Sequence, residues 1–230
     1  MNTSELLDRL ISILLPQRCV LCSELVEYED YWCEKCAAVG ELPYTRLGQI
    51  ACDLTREFAG TLAAIEYSGD ARKMILRLKN GGDRRIMQFF ADEMGRAITQ
   101  HWEDTHLELI VPVPSSKARL RERGFNQAER LARCLSKTID APVQGGVLMR
   151  YEDTQSQQDL SAHERRVNAE SSYDTGKSAS VAEGKSILLV DDVLTTGSTV
   201  AACAAKLMEA GAQSVYIITA AHQPETSDSD

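Results

Sequence analysis

The stretch 185-KSILLVDDVLTTGSTV-200 decides how this chain is built. Ile187 to Val190 is an unbroken apolar run, the pattern of a strand buried on both faces. Two carboxylates, Asp191 and Asp192, stand where that run ends, and the small residues Thr195, Thr196, Gly197, Ser198 and Thr199 lead into an alanine-rich helix. Amides at a helix start point towards an anion, and Gly197 permits close backbone approach. Such a strand, loop and helix suit a ligand with a phosphate at one end and hydroxyls or a metal ion at the other. The carboxylates suit hydrogen bonds from sugar hydroxyls or a hydrated magnesium ion. Nothing nearby in sequence forces either to keep a proton, so a general acid–base role is not expected. The pattern GxxxxGK[ST] is absent, which speaks against nucleotide triphosphate hydrolysis.

Outward from this stretch the chain alternates between strands and helices. Residues 61–67 suit a strand, and 69-GDARKMILRLKNGGD-83 begins a helix with Ala71, Met74, Ile75 and Leu78 on one stripe. Residues 84–101 read as a second helix, and 107-LELIVPVP-114 as a buried strand stopped by its second proline. A helix from about Phe125 to Lys137, a strand near Val147 to Tyr151, a helix over 198–210 closed by Gly211, and a last strand 214-SVYIITAA-221 follow. The alternation implies an α/β fold, a parallel sheet with helices on both faces. Residues 1–57 form an amino-terminal helix and cysteine segment, 58–222 the sheet domain, and 223–230 a disordered acidic tail.

Cys19 and Cys22 (CVLC) and Cys33 and Cys36 (CEKC) supply four thiolates to one tetrahedral zinc ion. Four cysteines close the shell, so the metal is expected to be structural and to supply folding free energy. Seven cysteines without an export signal point to free thiols in the cytosol. Cys203 shares a helical face with Val200, Ala204 and Leu207 and reads as core; Cys134, beside Leu131 and Leu135, reads the same way; Cys52 finds no place. No cysteine has the His and Asp neighbours of a nucleophile. The opening 4-SELLDRLISILLPQRC-19 is an amphipathic helix closed by Pro16, suited to another protein surface or a membrane interface. Glu5 and Asp8 are wrong for a secretory signal, and no apolar run reaches the ~18 residues of a membrane span. A net charge of −9 argues against a protein that coats nucleic acid all over.

Two basic stretches stand apart from that average. The polar loop 114-PSSKARLRERGFNQ-127 carries Lys117, Arg119, Arg121 and Arg123 against Glu122, either a solvated face or a set of guanidinium forks for pyrophosphate. Gly124 is expected to open the following helix, with Asn126 and Gln127 fixing the turn by hydrogen bonds. The helix from Arg72 to Arg85 could offer a path for single-stranded DNA, although it lacks interleaved aromatics. Residues 150–168 are long enough for a lid; His163 within them reads as uninvolved.

The run ILLVDDVLTTGSTV resembles the phosphoribosyl pyrophosphate (PRPP) signature of type I phosphoribosyltransferases. VPVPSSKARLRERGFNQAERLA, the cysteine pairs, the Tyr67 to Lys79 segment and the series Arg150, Thr154, Gln157, Leu160, Arg165, Asn168 resemble the ComF/GntX branch, from Cys19 to about Ala221. The resemblance implies that Asp191 and Asp192 meet ribose hydroxyls and that Thr195, Thr196, Gly197, Ser198 and Thr199 grip the 5-phosphate. It also implies magnesium on the pyrophosphate, with Arg119 and Arg123 catalytic beside the two aspartates, and Lys79, Arg150 and Arg165 completing the PRPP site. The expected function is magnesium-dependent transfer of phosphoribosyl to an unknown acceptor by a cytoplasmic protein, linked to DNA uptake, natural transformation or use of external DNA. The alternative is a zinc-ribbon adaptor that binds single-stranded DNA or a helicase-like competence partner and keeps a non-catalytic PRPP site. Type I enzymes select a base with a hood outside the core. Little follows the last strand here, so a hood must come from residues before Thr61 or be missing. Family members often carry further cysteine pairs; only Cys52 remains here, so a second zinc is not expected.

Overall fold

The structure, a computed structural model, describes residues 17–26, 30–37, 44–81, 83–151 and 171–223. The amphipathic opening, most of the 150–168 loop and the acidic tail beyond Gln223 lie outside them. At the centre is β5 (Ser186–Leu194), in a four-stranded sheet with β1 (Gly60–Glu66), β2 (Leu109–Pro112) and β6 (Ser214–His222), in the order β1-β6-β5-β2. All three pairings are parallel. The helices are α1 (Gly69–Gly81), α2 (Arg84–His101), the short α3 (Lys117–Arg123), α4 (Gln127–Ile139) and α5 (Ser198–Glu209). Among the described residues no helix is long and apolar enough to cross a membrane.

Strand periodicity sorts the core into two layers. Leu188 and Val190 of β5 face the layer built by α1, α2 and α4, with Met74, Ile75, Phe90 and Leu131 fully buried there. Ile187 and Leu189 face the other layer, where Val200, Cys203 and Leu207 of α5 close the sheet. Both edges of the sheet are covered by irregular chain: residues 46 and 49 bridge antiparallel to β1, and Val143 bridges to Ile110 on β2.

Three expectations change. The strand near Val147 to Tyr151 does not join the parallel sheet; β3 (Leu148–Arg150) pairs antiparallel with β4 (Tyr173–Thr175), a strand too short to show a period in sequence. The stretch 114–127 is not one loop, because Ser116 caps the Arg119 N–H and starts α3. Gly124 therefore closes that helix, in the left-handed conformation at φ 77°, instead of opening the next one. Finally, β5 does not end at its carboxylates. It stays paired with β6 as far as Leu194, opposite His222, while β2 stops at Pro112 opposite Val190. From Asp191 onward β5 thus has a ladder neighbour on one side, and the missing strand leaves a crevice at the carboxyl end of the sheet.

The amino-terminal segment is fastened to the α1 and α2 layer by aromatic and charged contacts. Tyr31, Trp32 and Tyr44 each meet the Phe89 ring edge-on, at centroid distances of 5.4, 5.0 and 5.2 Å. Arg77 donates to the carbonyls of Val20 and Leu21, and Arg85 to Gln17 and the Asp30 carbonyl. Two arginines of the supposed single-strand path are therefore tied into the fold. Glu93, 7% exposed, accepts from Arg46, Arg96 and Tyr44 and ties the 44–46 segment to α2.

Candidate functional site

The crevice is a cavity of about 420 Å³, lined among others by Lys79, Arg119, Arg123, Arg150, Asp191, Asp192, Thr195, Thr196, Ser198 and Thr199. The alternation of β5 sends its two carboxylates to opposite layers. Asp192 turns to the α1 side, where its Oδ2 lies 3.2 Å from Lys79 Nζ. Asp191 turns to the α5 side, near Tyr173 and Cys203. Burial, and then the Asp192 charge, push Asp191 up to about 7 against the pull of the Asp192 N–H, Lys79 and Arg119. The Asp191 carboxyl therefore does hold a proton well above the usual range, contrary to the reading from sequence. Burial and Asp191 also push the Cys203 thiol well up, so it stays protonated.

The hydroxyl loop forms one wall. Gly197 adopts the left-handed conformation at φ 81° as the cap of α5, and the Thr196 and Ser198 hydroxyls lie 2.9 Å apart. Gly197 is the pivot, and the residues on either side of it present their side chains to the cavity. A Cβ on Gly197 would lie 2.6 Å from Cys52 Sγ, which itself reaches the Thr196 carbonyl at 3.7 Å. Cys52, without a place in the sequence reading, props this loop from behind.

The opposite wall comes from β2, α3 and the start of α4. Asn126 holds it: its Nδ2 donates to the Val113 carbonyl at 2.9 Å, and its Oδ1 accepts from the Ser115 hydroxyl and the Ala128 N–H. Arg119 and Arg123 project from α3, and neither guanidinium has an ion pair among the described residues. Arg150 lies 5.3 Å from the centre of the Tyr173 ring. Arg165 falls outside the described residues. Sequence reasoning missed Ser172, Tyr173 and Gln223 in the lining; only the resemblance drew attention to Tyr67. The α4 and α5 N-termini approach from opposite faces of the sheet, with the two carboxylates between them. That arrangement can hold a molecule anionic at both ends and hydroxylated in the middle.

The second site is the cysteine cluster, where all four Sγ atoms of Cys19, Cys22, Cys33 and Cys36 lie within 4.8 Å of one another. Tetrahedral zinc at ~2.3 Å from each sulfur sets S–S edges of roughly 3.8 Å, so the spacing fits. At Cys19 burial would raise the thiol, yet the N–H groups of Cys22, Cys33 and Leu21 prevail and bring it down to about 6. Cys36 is pushed up by burial and by its three neighbours. Such crowded sulfurs are the donor set a soft divalent cation relieves.

Residues 120–230 match the phosphoribosyl transferase domain family, a span that holds β5, β6 and the hydroxyl loop, and the parallel sheet with its helices is a type I phosphoribosyltransferase-like fold. Competence protein ComFC of Bacillus subtilis is 34% identical over 145 residues, 63% of this chain and 56% of that protein. Competence protein F of Haemophilus influenzae is 34% identical over 110 residues, 48% of each chain. The chain thus spans about half the length of these relatives. The DNA utilization protein YhgH of Escherichia coli O157:H7 is 28% identical over 205 residues, 86% of this chain and 87% of that one. The chain is therefore similar along most of its length to competence and DNA utilization proteins, as the ComF/GntX resemblance implies.

Proposed function

We propose that the crevice binds PRPP with magnesium and that the protein transfers the phosphoribosyl group to an acceptor during the handling of DNA. One observation carries this reading: Asp191 and Asp192 stand in a single cavity between a hydroxyl loop at the α5 N-terminus and Arg119 and Arg123 on α3, which have no ion pair among the described residues. Asp191 and Asp192 accept from the ribose hydroxyls. The amides and hydroxyls of Thr195 to Thr199 take the 5-phosphate, a group they can satisfy without a cation. Arg119 and Arg123 face the pyrophosphate, the more highly charged end. As the bond from the anomeric carbon to pyrophosphate breaks, its electron pair goes to the departing oxygen, and the guanidiniums neutralise the growing charge. The acceptor's lone pair forms the new bond and its proton passes to solvent. No side-chain nucleophile is required, in keeping with the protonated Cys203 thiol.

The residues also fit magnesium. Two neighbouring carboxylates, one pushed up by burial and then by the charge of the other, are hard oxygen donors that a cation would relieve. Magnesium, when bound, would shield the pyrophosphate oxygens. Calorimetry with PRPP and magnesium tests the proposal on the parent and on the double variant Asp191→Asn/Asp192→Asn. Binding in the parent and its loss in the variant are expected; equal heats in both would refute it. A screen of candidate bases for pyrophosphate release then identifies the acceptor.

A second reading, the zinc-ribbon adaptor, is favoured by the knuckle's outer surface. Leu25 is 57% exposed there, beside a groove whose charged lining is Glu24, Asp30 and Glu34 against Lys35, acidic on balance. Acidic walls repel phosphates and suit a protein better than DNA. Unaltered partner capture by the double variant would separate this role from PRPP binding.

A further inference from the structure

Asn126 and Gln127 are neighbours at the start of α4, and both line the crevice, yet they behave oppositely. Asn126 has its amide engaged at both ends by Val113, Ser115 and Ala128. Gln127 is only 4% exposed, and its Nε2 is out of contact with solvent and has no hydrogen-bond partner among the described residues. Buried amide donors without partners are rare and cost stability. Of the other buried polar side chains, Thr55, Glu93, Ser116 and Thr219 are hydrogen-bonded; Thr61 Oγ1 shares the lack of a partner among the described residues but lies away from the crevice, whereas Gln127 lines it.

The surroundings select what could satisfy it. Arg119 and Arg123 line the same wall, and the α4 N-terminus adds positive potential. A phosphate oxygen there would accept from an amide, and rotation of the Gln127 side chain into the cavity would bring the donor round. We propose that Gln127 is a specificity-determining residue of the crevice, donating from its side-chain amide to the pyrophosphate of the bound sugar phosphate. The proposal rests on the PRPP reading given above and names a contact within it. Gln127 discriminates between sugars that carry a pyrophosphate at the anomeric carbon and those that carry only the 5-phosphate.

Gln127→Leu removes the amide at similar volume, and Gln127→Glu keeps the shape while replacing the donor with a negative charge. Calorimetry in magnesium with PRPP and with ribose 5-phosphate is compared for the parent and both variants, alongside urea unfolding. For Gln127→Leu the expected result is a higher urea midpoint, PRPP binding weakened about tenfold to a hundredfold, and ribose 5-phosphate binding changed less than about threefold. Should Gln127→Leu fold poorly, Gln127→Glu carries the test, with a still larger loss for PRPP. PRPP affinity unchanged in a folded variant overturns the role of Gln127 while leaving the PRPP reading intact. Equal losses for both sugars overturn the assignment to the pyrophosphate. A parent that binds neither sugar overturns the PRPP reading itself.

Discussion

The Asp191 carboxyl makes the crevice a place where function opposes stability, and Asp191→Asn should make the protein more stable. Burial and the Asp192 charge move this group from an ordinary 3.8 to about 7. A displacement of that size disfavours the ionised native protein by at most about 4 kcal/mol. Because the carboxyl opens on the cavity, screening reduces this to about 1–2 kcal/mol. An asparagine keeps the oxygen that accepts from the Asp192 N–H at 2.8 Å and removes the charge that repels Asp192. The pH dependence follows from the direction of the shift. Below the unfolded value both states are protonated and the carboxyl has no effect. Between that value and about 7 the unfolded chain has lost the proton and the native protein retains it, so the parent loses stability as pH rises and levels off above about 7. The gap between variant and parent should therefore be small near about pH 4 and reach its full size by about pH 8. Urea unfolding across that range reads it directly. A variant less stable than the parent at about pH 8, or a difference independent of pH, would refute the reasoning.

Gly197→Ala should destabilise by about 2–4 kcal/mol, since it adds left-handed strain to a Cβ placed 2.6 Å from Cys52 Sγ. Adding Cys52→Ala should recover part of that loss, and strict additivity in urea unfolding would rule out the contact. Cys33→Ser should abolish stoichiometric zinc, measured with a metal-binding dye, and shift the fluorescence of Trp32, which packs on Phe89; retained zinc would count against the site. Glu93→Ala should cost about 2–4 kcal/mol by leaving Arg46 and Arg96 without their carboxylate. At Glu93 burial would raise the group, but Arg46, Arg96 and Tyr44 prevail and lower it. Its stabilising effect is therefore present above the unfolded value and lost as pH falls through the folded one. The cost of Glu93→Ala should therefore shrink as pH falls below the ordinary carboxylate range, and a cost that stays constant or grows on acidification would refute the sign.

Much of this is legible in the residues themselves. The run Ile187 to Val190, apolar on both faces, announces a central parallel strand, and the spacing of Ala71, Met74, Ile75 and Leu78 predicts a helix that the fold contains. The loop from Thr195 to Thr199 and the cysteine quartet carry their chemistry in residue types alone, so they too could be read locally. What could not be read depends on long-range contact. Tyr173 sits on a strand of three residues, too short for alternation. Cys52 acquires its place by reaching the Thr196 carbonyl across 144 residues of chain. The raised Asp191 carboxyl reflects burial created by elements far away in sequence, as does the attachment of Arg77 and Arg85 to the cysteine segment. Basic residues in a row do not disclose whether their partners will be phosphates or carbonyls of the same chain.

That distinction can be drawn in the folded protein by asking which buried polar groups are already content. Glu93 and Asn126 have partners on every side that their positions demand, and both join separate segments of chain. Asp191 and Gln127 share the crevice and are left, among the described residues, with a charge that is only partly offset and a donor without a partner. Groups of the first kind hold the fold, so removing them lowers stability; groups of the second kind oppose it until something enters. Asn126→Ala should therefore cost about 1 kcal/mol through the lost cap and weaken ligand binding as well, because the wall it holds would move. Gln127→Leu and Asp191→Asn should raise stability and weaken binding. Opposite signs of the stability change at two adjacent residues, 126 and 127, cannot come from a general disturbance of the α4 N-terminus. They would mark where the structural polar network stops and the ligand begins.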